Sequence, residues 1–201
     1  AGFIMRKEVR NISTAASGVD ETILPLDYPY MGLLVSALKT TILPDAIISN
    51  LKLTVDADRI VLYDMVGTDV LEMNIDGFPE AVENIVPLSD TAATFLSDIY
   101  YRQGAVFDIA GATGKGAISS VTGESVVAAM TTGQAAGTMR IRCAGYSPHA
   151  SFYLPFGSPS FLSDDDSAWF DPRQGVAQMK LKSTQATASA TLTVVTEQLR
   201  V

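Results

Sequence analysis

The segment "NLKLTVD", residues 50–56, decides the fold: Leu51, Leu53 and Val55 fall on one side of an extended chain, Lys52, Thr54 and Asp56 on the other. A period of two marks a strand with one face on a core and one outside. The same alternation spreads outward. "TMRIRC" sets Met139, Ile141 and Cys143 against Thr138, Arg140 and Arg142, and "SFYLPF" groups Phe152, Leu154 and Phe156. Further on, Ala177, Met179 and Leu181 alternate with Gln178, Lys180 and Lys182, and Leu192 and Val194 with Thr191 and Thr193. Residues 22–26, 32–39, 59–65 and 105–110 are further strand candidates, which brings the count to about nine.

Two helices are expected among these strands. Ser89 or Asp90 is placed to cap one that carries Ala92, Phe95, Leu96 and Ile99 at helical spacing and stops at Gly104. A shorter one starts at Asp69, with Glu72 three residues on in the manner of a capping box, and ends before Gly77. Strands that arrive in succession with few helices between them favour antiparallel sheets over a doubly wound one. The expected fold is therefore all-β: an antiparallel β-sandwich, a jelly roll of about eight to ten strands with one or two short helices and an inserted loop-rich region.

Composition narrows the function classes. The chain has 201 residues, enough for one substantial domain. Only 18% of residues are charged while 47% are hydrophobic, against about 25% charged in average soluble proteins, which suggests surface hidden in an assembly. The net charge of -8 is uneven: the first ten residues hold Arg6, Lys7 and Arg10 against Glu8, and the rest is correspondingly more acidic. An acidic body argues against sequence-specific nucleic-acid binding. A single cysteine, Cys143, leaves no intrachain disulfide and no multi-cysteine zinc site. No apolar run is long enough to span a membrane, and the N-terminal residues lack the apolar core of a signal peptide.

"FDIAGATGKGA", residues 107–117, invites a nucleotide-binding reading. A phosphate loop of the G-x-x-x-x-G-K-[ST] kind needs glycine where Ile109 stands and a hydroxyl where Gly116 stands. A dinucleotide fingerprint on Gly111, Gly114 and Ala117 fits the letters, but it needs a helix to follow, and "ISSVTGESV" is β-branched and broken by Gly123. A surface hairpin loop is the better expectation.

Other chemistry is equally thin. His149 is the only histidine and sits in a turn, without a nucleophile elbow nearby. Asp164, Asp165, Asp166 and Asp171 could gather around calcium, but three consecutive aspartates point apart and a solvated acidic loop reads better. Within the same Gly-, Pro- and Ser-rich connection, Trp169 joins Asp164, Asp165 and Asp166 as a candidate surface recognition loop, since a tryptophan can stack on a sugar. No enzyme, cofactor or metal is expected.

Several of these segments together carry a resemblance. "ISNLKLTVDADRIVLYDMVGTDVLEMN", residues 48–74, resembles the early hairpin and short helix of the jelly-roll major capsid proteins of membrane-containing double-stranded DNA viruses, a lineage of single and double rolls that includes corticoviruses. "HASFYLPFG" and "GVAQMKLKSTQATASATLTVVTEQ" are similar to its closing strands, and "ETILPLDYPYMGLLVSALK" to its first ones. The resemblance implies a virion protein, a capsid subunit of a bacteriophage-type particle that tiles edge to edge into an icosahedral shell over an internal membrane. Its partners would be copies of itself and other coat proteins. Residues 1–20 would be an N-terminal arm whose Arg6, Lys7 and Arg10 touch membrane lipid or a neighbouring subunit. Residues 21–201 would be one roll with an insertion at about 75–147. The alternative is a carbohydrate- or receptor-binding sandwich, such as a spike head or lectin-like module.

Overall fold

The computed structural model describes residues 2–39, 42–85, 93–97, 108–110, 116–121, 125–130, 140–148, 150–156 and 169–200. The chain divides into two compact units, one of residues 1–39, 44–78 and 151–201, the other of residues 40–43 and 79–150.

In the first unit, β1 (Phe3–Ser13), β2 (Gly18–Leu24) and β3 (Tyr30–Leu38) lead through the short helix α1 (Pro44–Ile47) to β4 (Ile48–Val55) and β5 (Ile60–Val66). Helix α2 (Gly67–Gly77) follows. The second unit then intervenes in sequence, and the first resumes with three strands. They correspond to Ser151–Pro155, Met179–Gln185 and Thr191–Arg200.

The second unit contributes β6 (Ala81–Ile85), β7 (Ala93–Ser97), β8 (Asp108–Ala110), β9 (Gly116–Val121), β10 (Ser125–Met130) and β11 (Arg140–Gly145). They form two three-stranded sheets, β7-β10-β9 and β6-β11-β8. The three later strands of the first unit are thus β12, β13 and β14.

The first unit holds two antiparallel four-stranded sheets, β1-β14-β3-β12 and β2-β13-β4-β5. Of the connections between these eight strands taken in chain order, only the β4–β5 hairpin stays within a sheet. All the others cross from one sheet to the other, which is the wiring of a jelly roll.

Register explains why "NLKLTVD" and its relatives fold this way. In the first sheet, Phe152 pairs with Val35, which pairs with Val194; Leu154, Leu33 and Thr196 form the next row. In the second, Leu181 pairs with Leu53, which pairs with Tyr63. The leucines, valines and Phe152 of these rows are buried between the sheets, so the hydrophobic effect fixes the register: a one-residue slip would turn every one of them to water.

One end of the roll is tied by polar groups. The Thr14 hydroxyl donates to the Thr187 carbonyl at 2.6 Å and accepts from the Ala190 amide at 3.0 Å. The Lys39 ammonium donates to the Ala188 carbonyl at 2.6 Å.

Three expectations are corrected. Residues 1–20 are not an arm, because residues 3–13 pair with β14 over almost their whole length and residues 18–24 pair with β13. Of the helix expected from Ser89 or Asp90 to Gly104, residues 93–97 are strand β7, whose ladder with β10 overrides a helical spacing of Phe95 and Leu96, and the rest lies outside the described residues. Helix α2 exists where it was expected, but its N-cap is Val66, with no side-chain cap hydrogen bond, so Asp69 and Glu72 build no capping box. The helix is held instead by burial of Val70, Leu71 and Asn74.

Candidate assembly surface

Two core-facing rows that cross the first sheet end at β1 in charge. Thr196, in the row of Leu154 and Leu33, pairs with Lys7, and Val194, in the row of Phe152 and Val35, pairs with Arg10. In the second sheet, Ser183 pairs with Asp20 and Leu181 with Thr22 on β2. In the middle of this flank the core-facing places of both edge strands are thus polar, with apolar Ile12 and Leu24 beyond them, paired with Leu192 and Met179. Arg10 closes the gap between the sheets: its guanidinium donates to both oxygens of Asp20, the Nε at 3.2 Å, and Thr22 donates to Asp20 at 3.1 Å. The Asp20 side chain is only 9% exposed, and its hydrogen bond holds the guanidinium pKa above its ordinary value. No side chain of β1 is fully buried.

Arg6 lies on the outer face of the same strand, where its Nε donates to the Glu197 carboxylate. Glu197 is buried, although it faces outward, because Tyr153 reaches across to it and donates its hydroxyl at 2.7 Å. That reach needs Gly32: a Cβ there would stand 2.2 Å from the Tyr153 hydroxyl oxygen. Burial, and then the Glu197 carboxylate, push the Tyr153 phenol well above its ordinary pKa. Lys7 is exposed and makes no ion pair among the described residues. The three cations expected on a detachable arm therefore stand on a docked edge strand, with Arg6 and Arg10 bonded to their own subunit.

Phe3, Ile4, Val19 and Ile23 are exposed on these two edge strands, Ile23 at 65%. Among the described residues, the ladder edges of β1 and β2 away from β14 and β13 carry no further strand.

The opposite flank is closed at β12, whereas its other edge strand, β5, exposes Ile60 and Val61, with Val66 at its end. Strand β12 is capped by Asn74 of α2, whose amide donates to the Tyr153 carbonyl at 2.7 Å and whose side-chain oxygen accepts from the Tyr153 amide at 2.8 Å. One side chain thus replaces a neighbouring strand. Phe78 packs edge-on against Tyr153, with ring centroids 5.2 Å apart, and the Tyr63 hydroxyl of β5 donates to the Pro155 carbonyl. Gly67 permits the helix to start here, since a Cβ would lie 2.6 Å from the Ile48 carbonyl oxygen.

The candidate recognition loop falls mostly outside the described residues. Asp164, Asp165 and Asp166 lie outside the described residues, as do His149 and the segment 111–115. Trp169 is half-buried and precedes Phe170, which bridges to Tyr30 and stacks on Phe156 at 5.5 Å between centroids. Asp171 is engaged by Arg173, at 2.8 Å, which lowers its carboxyl pKa to about 2.

The strands that flank 111–115, β8 and β9, belong to different sheets, and β9 follows where a dinucleotide site needs a helix. Among the described residues no helix is long and apolar enough to cross a membrane.

The turn between β4 and β5 is strained: Asp56, Ala57 and Asp58 all have positive φ, at 53°, 54° and 69°. It is held by the Ala177 amide, which donates to Asp56 at 2.8 Å, and by Lys182, which donates to Asp58 at 2.7 Å.

No family model, no curated protein and no solved structure matches this chain. Sequence reasoning missed Glu197, Asp20, Asn74 and Tyr153. Lys7 and Arg10, three residues apart, share the inward face only because of the bulge between Glu8 and Arg10, which no spacing in the sequence signals, although inward charge does mark an edge.

Proposed function

We propose that this chain is a structural shell subunit, a capsid protein of a virion that assembles with copies of itself and with other coat proteins, edge to edge, into an icosahedral shell over an internal membrane. The observation that carries the reading is the jelly-roll unit with unlike flanks, one where α2 caps β12 and the other whose edge strands pair with no further strand among the described residues and expose Phe3, Ile4, Val19 and Ile23. Exposed apolar residues on an unpaired edge invite association, and a lone folded monomer has reason to cover them. The low share of charged residues supports the same reading. Light scattering with negative-stain imaging of the purified chain tests it. Large particles of regular outline are expected, and a species that stays monomeric at every concentration and salt removes the proposal.

A further inference from the structure

A neighbour cannot extend the first sheet at Tyr153 of β12, because the Asn74 amide already occupies both main-chain groups of that residue. What a neighbour meets there is α2. Its exposed residues include Asp69, Glu72 and Asp76, spaced three and four apart and so on one side of the helix, with no basic residue in its last turn.

Cations elsewhere on the first unit are largely matched at home. Lys180 and Lys182 pair with Glu21 and Asp58, Lys52 with Asp64, Arg59 with Asp56 and Arg173 with Asp171. Lys39 is bonded to the Ala188 carbonyl and Arg200 lies over the Tyr28 ring; the other cations are on β1. Lys7 is exposed without an ion pair among the described residues, and the Arg6 guanidinium remains 75% exposed beside Glu197.

We infer that the α2 face is the docking surface for a second copy of this chain, which presents Lys7 and Arg6 of its β1 edge to Asp69, Glu72 and Asp76. The contact is heterologous, head to tail: each copy offers an acidic helix on one flank and a basic strand on the other. Such contacts close into rings or run on as open arrays rather than stopping at a dimer. Opposite charge sets orientation and excludes helix-against-helix pairing, in which like charges would meet. This inference rests on the shell reading and adds which flank meets which.

The test uses full-length chain carrying Lys7→Glu, or Asp69→Lys with Asp76→Lys, or all three, with thermal melts to establish folding. Each partial variant is expected to raise the concentration needed for assembly by about tenfold or more, because it sets like charges together. The triple variant, with both flanks reversed, is expected to regain assembly. Zero-length carbodiimide cross-linking of the unmodified chain supplies a second readout, with intermolecular Lys7 links to Asp69, Glu72 or Asp76 expected.

Partial variants that assemble like the parent, a folded triple variant that fails, or cross-links confined to other pairs would overturn this contact and leave the shell reading standing. A parent chain that never assembles sinks both.

Discussion

The central rows of side chains cross each sheet from flank to flank, and they end differently. At the flank of β12 and β5 they end in Phe152, Leu154 and Tyr63, under a helix whose Asn74 satisfies the edge backbone. At the flank of β1 and β2 they end in Lys7, Arg10, Asp20 and Thr22, tied by one ion pair across the gap. The apolar end is closed by packing and the polar end by charge. An edge whose core-facing positions are charged resists uncontrolled strand addition and still leaves its outer face free for a specific neighbour.

The comparison breaks most sharply at Asn74. Asn74→Ala removes both hydrogen bonds to Tyr153 and leaves a main-chain donor and acceptor in a closed flank. The expected loss is about 3 kcal/mol of unfolding free energy, read by urea denaturation. A loss below about 1 kcal/mol would mean that water takes over the amide's role, and that the flank is less sealed than its geometry implies.

Arg10→Ala probes the other flank. It strands the Asp20 carboxylate, and the expected loss is about 2 kcal/mol, smaller because the arginine is partly in water. Replacing Arg10 and Asp20 together by Leu and Val should recover most of that loss, since the desolvation of Asp20 disappears with its charge. Failure to recover would show that the pair orients β1 rather than merely neutralising it.

Much of the first unit was legible because its strands alternate cleanly: "NLKLTVD" and "QMKLKS" state their buried faces residue by residue. What was illegible depends on partners far away in sequence. Glu197 sits at an outward position of β14, and only Tyr153, 44 residues distant, and Arg6, 191 distant, make it buried. The basic residues of β1 read as an arm because charge at core-facing places hides the strand's period. Asp69 and Glu72 read as a capping box because the spacing is right, yet Val66 occupies the cap. Spacing reports local geometry, whereas edge position is a property of the whole sheet.

The smallest effect sharpens where the flanks differ. On the outer face of the second sheet one row runs Glu21, Lys182, Lys52, Asp64 from the open flank to the sealed one. It is symmetric in charge: Glu21 is paired with Lys180 at 3.0 Å, and Asp64 with Lys52 at 2.7 Å. The Lys180 hydrogen bond lowers the Glu21 pKa below 4.5, and the Lys52 hydrogen bond lowers that of Asp64 below 3.8. A carboxyl with a depressed folded pKa adds stability above its unfolded value, and that stability is lost as pH falls through the folded value. Both groups therefore contribute to acid unfolding, with Glu21 beginning at the higher pH. Both pairs are solvent-screened, so their contributions are small. Glu21→Gln and Asp64→Asn should each flatten slightly the fall of melting temperature between about pH 6 and about pH 3, by similar amounts. If the flanks differ only in how their core rows end, this outer row responds alike at both ends. A much larger flattening with Glu21→Gln would place the asymmetry on the outer face as well, and would make the open flank the one that acid releases.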